Sequence, residues 1–189
     1  NQAAKEGMIY WISKGNINAT IEIMKKFDLP KEMVNQAAKE GLIKAISPQG
    51  EADIDKILKI INKFSLSDDI VNQVAKEGLM SNLANGSVRD VIMTKDGLNL
   101  STEIVQSQEV QQAAKQRFID DLSRGSFDFA LEIKNLFSLP EEEVQHAAKQ
   151  WFINNLSSGY IFMALAIKDK FNLPGEIMTS PEAQTAAKQ

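Results

Sequence analysis

Few side chains in this sequence could do chemistry, and they do not form a recognisable catalytic set. The chain of 189 residues has a single histidine, His146, and no cysteine. Zinc sites of the usual kinds need several histidine or cysteine ligands, and a thiol nucleophile needs a cysteine. The glycines punctuate helical segments and do not form a phosphate-binding loop. We therefore expect a non-catalytic protein that uses no metal and no cofactor.

Paired carboxylates have a structural interpretation. Asp68-Asp69 precedes an apolar segment of helical period, where acids cap a helix and favour the positive end of its dipole. Asp120-Asp121 falls on the predicted exposed face of another helix, where solvation explains it. Neither pair predicts general acid–base chemistry.

A lysine returns at one position of a repeated motif. It follows Ala-Ala at Lys5, Lys39, Lys115, Lys149 and Lys188, and Val-Ala at Lys76. A row of ammonium groups could bind carboxylates, carbonyl oxygens or phosphates of a ligand. Alternatively, each lysine covers apolar surface with its stem and pairs with an acid of the neighbouring unit. The residues alone leave both interpretations open.

Two further columns accompany the lysines. One is apolar in every full unit (Ile9, Ile43, Met80, Ile119, Ile153) and either lines a groove or packs against the next unit. The next position varies (Tyr10, Lys44, Ser81, Asp120, Asn154), as a specificity position or an unconstrained surface position would. The candidate ligand-binding residues are Lys39, Lys76, Lys115, Lys149, Ile119, Ile153, Lys44, Ser81, Asp120 and Asn154.

The elements that position these columns are helix pairs. In the unit from Val144, apolar residues at helical spacing predict a first helix that ends at Gly159. A second helix is predicted roughly from Tyr160 to Phe171, followed by Asn172-Leu173-Pro174. An aromatic, a polar residue and then Leu-Pro or Leu-Ser form a repeated stop-and-restart signal. The Ala pairs suit points where two helix backbones approach closely.

The motif recurs every 34–39 residues, which indicates a stacked array of helical hairpins. We predict an all-α fold, an α-solenoid of about five antiparallel helix-pair repeats forming one array over residues 1–189. The units are about 1–33, 34–70, 71–109, 110–143 and 144–182, with a partial unit at 183–189. We interpret the chain as a fragment of a longer array, whose apolar ends could associate end to end.

Three units depart from the basic length. The unit from Val34 gains residues at Ser47-Pro-Gln-Gly-Glu-Ala52, between its two helices. Two others gain residues before the motif, at 102–110 and 175–183, and both extensions share the pattern Glu-Ile-apolar-x-Ser. Each extension either lengthens the first helix or adds a short turn before it. The second helix of the third unit, from Val88 to Gly97, is the weakest because Thr94-Lys-Asp-Gly97 replaces an apolar stretch.

Gly125-Ser-Phe-Asp-Phe-Ala130 resembles the hinge of tetratricopeptide repeats. Together with Phe118-Ile-Asp-Asp-Leu122, it is also similar to the inter-helix segment of pentatricopeptide repeats. Pro140 and Pro174 lie where such repeats place a closing proline. Both families imply a right-handed superhelix whose first helices line a concave groove. Tetratricopeptide repeats usually hold peptides there, whereas pentatricopeptide repeats usually read single-stranded RNA.

Composition bears on the choice between these ligands. The net charge of −4 argues against a protein that coats nucleic acid. We expect a scaffold that binds a protein or peptide partner. Single-stranded RNA binding and a purely structural spacer are the alternatives. No apolar run is long enough to cross a membrane and no signal peptide is visible, so we expect no membrane association. The location stays unknown, with the cytoplasm favoured.

Overall fold

The computed structural model describes residues 2–47 and 54–187, and within these ranges every regular element is a helix, which confirms the all-α class. The helices in chain order are α1 Gln2–Ser13, α2 Ile17–Phe27, α3 Lys31–Ile46, α4 Ile54–Phe64, α5 Asp68–Asn85, α6 Val88–Gly97, α7 Thr102–Val105, α8 Gln108–Ser123, α9 Phe127–Phe137, α10 Glu141–Ser157, α11 Ile161–Lys170 and α12 Pro181–Ala186.

The chain divides into two compact units, which we call the N-terminal unit (Asn1–Val110) and the C-terminal unit (Gln111–Gln189). In the N-terminal unit, α1, α3 and α5 pack in a row, and each contacts the second helix that follows it. Its core is built from aliphatic side chains of these first helices and of α4. In the C-terminal unit, α10 packs against both α11 and α12.

The linkers between units share one backbone conformation. The polar residue after each second helix has a positive φ, between 43° and 53°, at Asp28, Ser65, Asn99, Ser138 and Asn172. A left-handed residue ends a helix by turning its last carbonyl groups back toward free N–H groups. In the C-terminal unit the motif glutamines add to this cap, because Gln111 and Gln145 donate to the carbonyl oxygens of Phe137 and Phe171 at 3.1 and 2.8 Å.

Three turns between paired helices contain a glycine in the left-handed conformation, including Gly159, where the sequence predicts it. Gly15, Gly125 and Gly159 all have φ near +70°. After α10, the N–H groups of Gly159 and Tyr160 donate back to the carbonyls of Leu156 and Asn155, so the turn closes on the helix end. The predicted first helix before Gly159 and the second helix after it are thereby confirmed.

Both extensions form a separate turn and do not lengthen the first helix. Thr102–Val105 is the short helix α7, and Gly175–Thr179 is a 3-10 turn. Ser101 and Ser180 accept hydrogen bonds from backbone N–H groups three residues on, and so cap the segments that follow. The insertion predicted at Ser47–Ala52 lies outside the described residues from its second position onward.

The Ala pairs are buried unequally. The second alanine is buried in five copies, at Ala4, Ala38, Ala75, Ala114 and Ala148. In the last copy the first alanine, Ala186, is buried and the second, Ala187, is exposed. The first is buried in α3 but only half-buried in α8 and α10. In α6, Thr94 is fully buried and its hydroxyl bonds Asn82 Nδ2 and Asp90 O at 2.8 Å each. The polar stretch that predicts a weak helix therefore contributes a buried, hydrogen-bonded side chain.

Candidate binding surface

The recurring lysines contact acids on the first helix of the next repeat. Lys5 Nζ lies 2.8 Å from Glu40, Lys39 lies 3.6 Å from Glu77 and Lys76 lies 3.3 Å from Glu109 in the N-terminal unit. In the C-terminal unit, Lys115 lies 2.8 Å from Glu143. The Lys149 charge lowers the pKa of Glu182, after the hydrogen bonds from that residue's own N–H and from Ser180. Lys5, Lys39, Lys76 and Lys115 thus each link one first helix to the next one.

The acid that forms an ion pair with the lysine occupies one of two positions in the next motif. Glu40 and Glu77 directly follow their own motif lysines, whereas Glu109, Glu143 and Glu182 lie six residues before theirs. The two positions are seven residues apart, which places them two helical turns apart on one face. We call the residue just after the motif lysine the first position and the residue six before it the second. Where the first position is glutamate, the second is apolar (Met33, Ile70). Where the first is glutamine (Gln116, Gln150, Gln189), the second is glutamate.

The contacts with lysine lower the pKa of the glutamates. The hydrogen bond from Lys5 is the main cause that holds the pKa of Glu40 below its ordinary value. The pKa of Glu109 is lowered first by its own backbone N–H and then by Lys76. The side chains are 39% exposed at Glu40 and 64% exposed at Glu109, so water screens each pair and each contributes little to stability by itself. Their shared effect is to fix the register between neighbouring first helices.

The position two residues after the motif lysine differs between the units. It is glycine in the N-terminal unit (Gly7, Gly41, Gly78) and a large residue in the C-terminal unit (Arg117, Trp151). A β-carbon at Gly41 would come within 2.6 Å of Ile12 Cγ2 on the preceding first helix. A β-carbon at Gly78 would overlap Ile46 in the same way. Glycine therefore allows a close approach of helices that arginine or tryptophan prevents.

A cleft of about 560 Å³ lies between α8 and α10 in the C-terminal unit. Apolar atoms come from Ile119, Ala147 and Trp151. Polar groups come from the remaining lining residues, which are Lys115, Glu142, Glu143, His146 and Gln150. Since the ammonium group of Lys115 is bonded to Glu143, the cleft presents a paired charge beside apolar side chains.

A second cleft, of about 500 Å³, lies between α10 and the segment that leads into α12. Leu173, Pro174 and Ile177 supply its apolar wall. Gln145, His146 and Lys149 supply polar groups from α10, and His146 also lines the first cleft. The imidazole therefore lies exposed where the two clefts adjoin.

The predicted site residues are distributed over both units. Lys115 and Ile119 line the first cleft and Lys149 lines the second, whereas Ile153 is half-buried on α10 and is not among the lining residues of either. Lys39 and Lys76 belong to the N-terminal unit. Lys44 is exposed and Ser81 half-buried. Asp120 and Asn154 each accept a hydrogen bond from the glutamine one turn earlier, at 2.9 and 3.2 Å.

One interpretation of the paired acids is wrong. Asp68 does begin α5, as the capping pattern predicts. Asp121, however, is buried, and its carboxylate accepts a hydrogen bond of 2.8 Å from Arg117 Nε, itself only 8% exposed. The error arises because an acid and an arginine four residues apart can neutralise each other inside a core. The spacing of Arg117 and Asp121 is the sequence signal that identifies this pair.

Sequence reasoning also missed Trp151, His146 and Glu143 as cleft residues. The alignment of the motif places Trp151 two residues after Lys149 and His146 three residues before it, so both lie beside the lysine column. Within residues 2–47 and 54–187, no three histidine or acidic side chains are grouped closely enough to hold a metal ion. In the same ranges, no helix combines the length and the apolar character that crossing a bilayer requires.

Comparison of the chain with protein-family models, with curated proteins and with solved structures gives no match. The resemblance to tetratricopeptide and pentatricopeptide repeats therefore stays an expectation that rests on the motifs. The right-handed superhelix and the concave groove that it implies stay predictions too.

Proposed function

We propose that this chain is a non-catalytic scaffold of helical hairpins that binds a polypeptide segment in the two clefts of the C-terminal unit. The observation that carries the proposal is the pairing of the lysine column with carboxylates of the next unit. A lysine already bonded to a glutamate is a poor site for a phosphate, because the ion pair must break first. The pairing therefore favours a peptide over single-stranded RNA as the ligand.

The clefts have the composition that peptide recognition needs. Their volumes fall in the range of sites that take one or a few anchoring side chains. Trp151 and Ile119 offer apolar contact in one cleft, and Leu173 and Ile177 in the other. Hydrogen bonds with a peptide backbone can be donated or accepted by the side chains of His146, Gln145 and Gln150. Since the clefts adjoin at His146, a partner with two apolar anchors separated by a short polar stretch fits best.

Selection from a random peptide library displayed on phage, against the whole chain, tests the proposal. Binding of the enriched peptides is then followed by Trp151 fluorescence in a Trp11→Phe background, since the chain has two tryptophans. Trp151→Ser should abolish binding of the same peptides measured by anisotropy. Phe129→Ser is the matched control, because Phe129 is an exposed aromatic outside both clefts.

Failure to enrich any sequence, or equal binding by the Trp151→Ser variant with an unchanged melting curve, would contradict the proposal. A defined single-stranded RNA bound in preference to every peptide would replace it with the RNA alternative. If the chain binds neither peptide nor RNA, the remaining alternative is that it is a structural spacer.

A further inference from the structure

The first turn of α10 carries three consecutive glutamates that differ in their partners. Glu141 bonds Lys134 at 2.7 Å, and Glu143 bonds Lys115 at 2.8 Å. The exposed side chain of Glu142, between them, forms no ion pair or hydrogen bond with any residue in the described ranges. Its carboxylate lines the cleft between α8 and α10, together with the Lys115–Glu143 pair. That cleft therefore has one carboxylate in excess of its lysine.

The cleft between α10 and the segment before α12 has the same imbalance of charge. The pKa of Glu182 is lowered by hydrogen bonds from its own N–H and from Ser180, and then by the charge of Lys149, which lines this cleft. Glu176 also lines the cleft and is exposed. Within residues 2–47 and 54–187 no cation is bonded to the Glu176 carboxylate. Each cleft thus combines one lysine that interacts with an acid of the next motif and one further carboxylate.

The cleft between α8 and α10 is acidic at one end and apolar at the other. Glu142 lies at the start of the α10 residues that line it and Trp151 at their end, nine positions later. At a rise of 1.5 Å per residue the two are about 13.5 Å apart along the helix. An extended peptide covers about 3.3 Å per residue. A ligand with an apolar side chain on Trp151 therefore brings the residue about four positions away beside Glu142.

The charge of the clefts selects among possible ligand residues. An acidic ligand would meet Glu142 and Glu176 as like charges, and a neutral one would cover these carboxylates without a partner. A lysine or arginine supplies the missing cation, and its aliphatic stem packs on apolar walls such as those formed by Ile119 and Leu173. The net charge of −4 also attracts a basic segment from a distance.

We propose that the polypeptide bound in these clefts is basic, with one lysine or arginine paired to Glu142 and another paired to Glu176. Each basic residue accompanies an apolar anchor, and in the first cleft it lies about four positions from the side chain on Trp151. The inference rests on the proposed function, because it specifies the ligand of the same two clefts.

Selection from a random peptide library, carried out in parallel on wild type and on a variant with Glu142→Lys and Glu176→Lys, tests the proposal. Wild type should enrich lysine and arginine, one of them about four positions from an aromatic or aliphatic residue. The variant should lose this preference and enrich aspartate and glutamate. The control carries Glu22→Lys and Glu103→Lys, which change the net charge equally at exposed positions outside both clefts. It should enrich the same basic peptides as wild type.

The affinity of one labelled peptide enriched by wild type gives the size of the effect. Fluorescence anisotropy should show about a tenfold loss of affinity in the variant with two lysines, and little change in the control. Glu142→Gln should lose about threefold, because a single exposed ion pair is removed. The glutamine variant adds no positive charge to the first turn of α10, so it keeps the test valid if the lysine variant melts early. Binding by wild type should also weaken as salt rises.

Two failures have different meanings. Enriched peptides that are neutral or acidic, or basic peptides that bind wild type and the lysine and glutamine variants equally, would overturn the assignment of a basic ligand. Peptide binding in the clefts would still stand in that case. If no peptide is enriched by wild type, the proposed function is contradicted and the basic ligand is overturned with it.

Discussion

The N-terminal and C-terminal units share the lysine column but pack their first helices in different ways. In the former, two of the lysines bond a glutamate just after the next motif lysine, and a glycine follows that glutamate. In the latter, the acceptor lies two turns earlier on the helix, and Arg117 or Trp151 replaces the glycine. Lys76 pairs with Glu109, which lies six residues before the next motif lysine. The second acceptor position is therefore used within the N-terminal unit too.

The difference between the units indicates that the repeats retain the lysine–glutamate ion pair, although the glutamate is not always at the same position of the motif. The substitution of glutamine for glutamate after the lysine would remove the ion pair if nothing else changed. A second substitution, from Met33 or Ile70 to glutamate at the equivalent positions, supplies the acid from the same face. Large residues beside the lysine then replace glycine, and one of them, Trp151, lines the cleft between α8 and α10.

The largest expected effect concerns the buried ion pair, which the glycine-containing motifs lack. Arg117→Met leaves the Asp121 carboxylate, only 3% exposed, without its cation. We expect a loss of about 3 kcal/mol or more in the free energy of unfolding, measured by urea denaturation. Arg117→Met with Asp121→Leu should lose much less, because no buried charge is left alone. A single variant as stable as wild type would show that Asp121 is solvated.

A smaller effect is expected where the N-terminal unit depends on glycine. Gly41→Ala places a methyl group within 2.6 Å of Ile12. Overpacking outweighs the gain in helix propensity, so we expect a net loss of about 1–2 kcal/mol. Gly175→Ala is the control, because no described atom lies within 4 Å of its added β-carbon. Thermal melts in which Gly41→Ala is stabilising would disprove the close approach of α1 and α3.

The smallest effect is the pH dependence of one lysine–glutamate pair. Folding lowers the pKa of Glu40 from its ordinary 4.5, so the pair stabilises the protein above that pH and its contribution is lost as the pH falls through the lowered value. Because the carboxylate is 39% exposed, we expect about 0.5 kcal/mol at most. Glu40→Gln should therefore be less stable than wild type at neutral pH but equal to it in acid, at a pH below the lowered pKa of Glu40.

Melting curves at both pH values, with the exposed Glu22→Gln as control, measure this difference. A destabilisation by Glu40→Gln that persists unchanged in acid would mean that the side chain acts through packing and not through its charge.

Much of the fold follows from local sequence rules. The helix starts, the left-handed glycine turns and the polar linker residues depend on propensities of single residues and their nearest neighbours. The sequence left open whether the extensions lengthen a helix, and capping by Ser101 and Ser180 decides for a separate turn.

The candidate site was harder to predict because it depends on pairs of residues from neighbouring units. The lysine column is visible in the sequence, but its partners lie at two alternative positions, so no single column of acids accompanies it. Asp121 was misplaced for a related reason, since its burial depends on the charge of Arg117. The cleft between α8 and α10 is lined by Trp151, at a position where the N-terminal motifs have glycine, so those motifs do not predict it.

The lysine–acid pairs support the claim that these lysines link neighbouring first helices and are not an RNA-binding site. The most direct test is the affinity of the whole chain for a randomised single-stranded RNA as a function of salt, in wild type and with Lys39, Lys76, Lys115 and Lys149 all replaced by glutamine. We predict weak RNA binding by wild type at physiological salt, and no specific loss in the variant. Submicromolar binding that falls with salt by a slope of about −0.7 per neutralised phosphate, and that disappears in the variant, would contradict the claim.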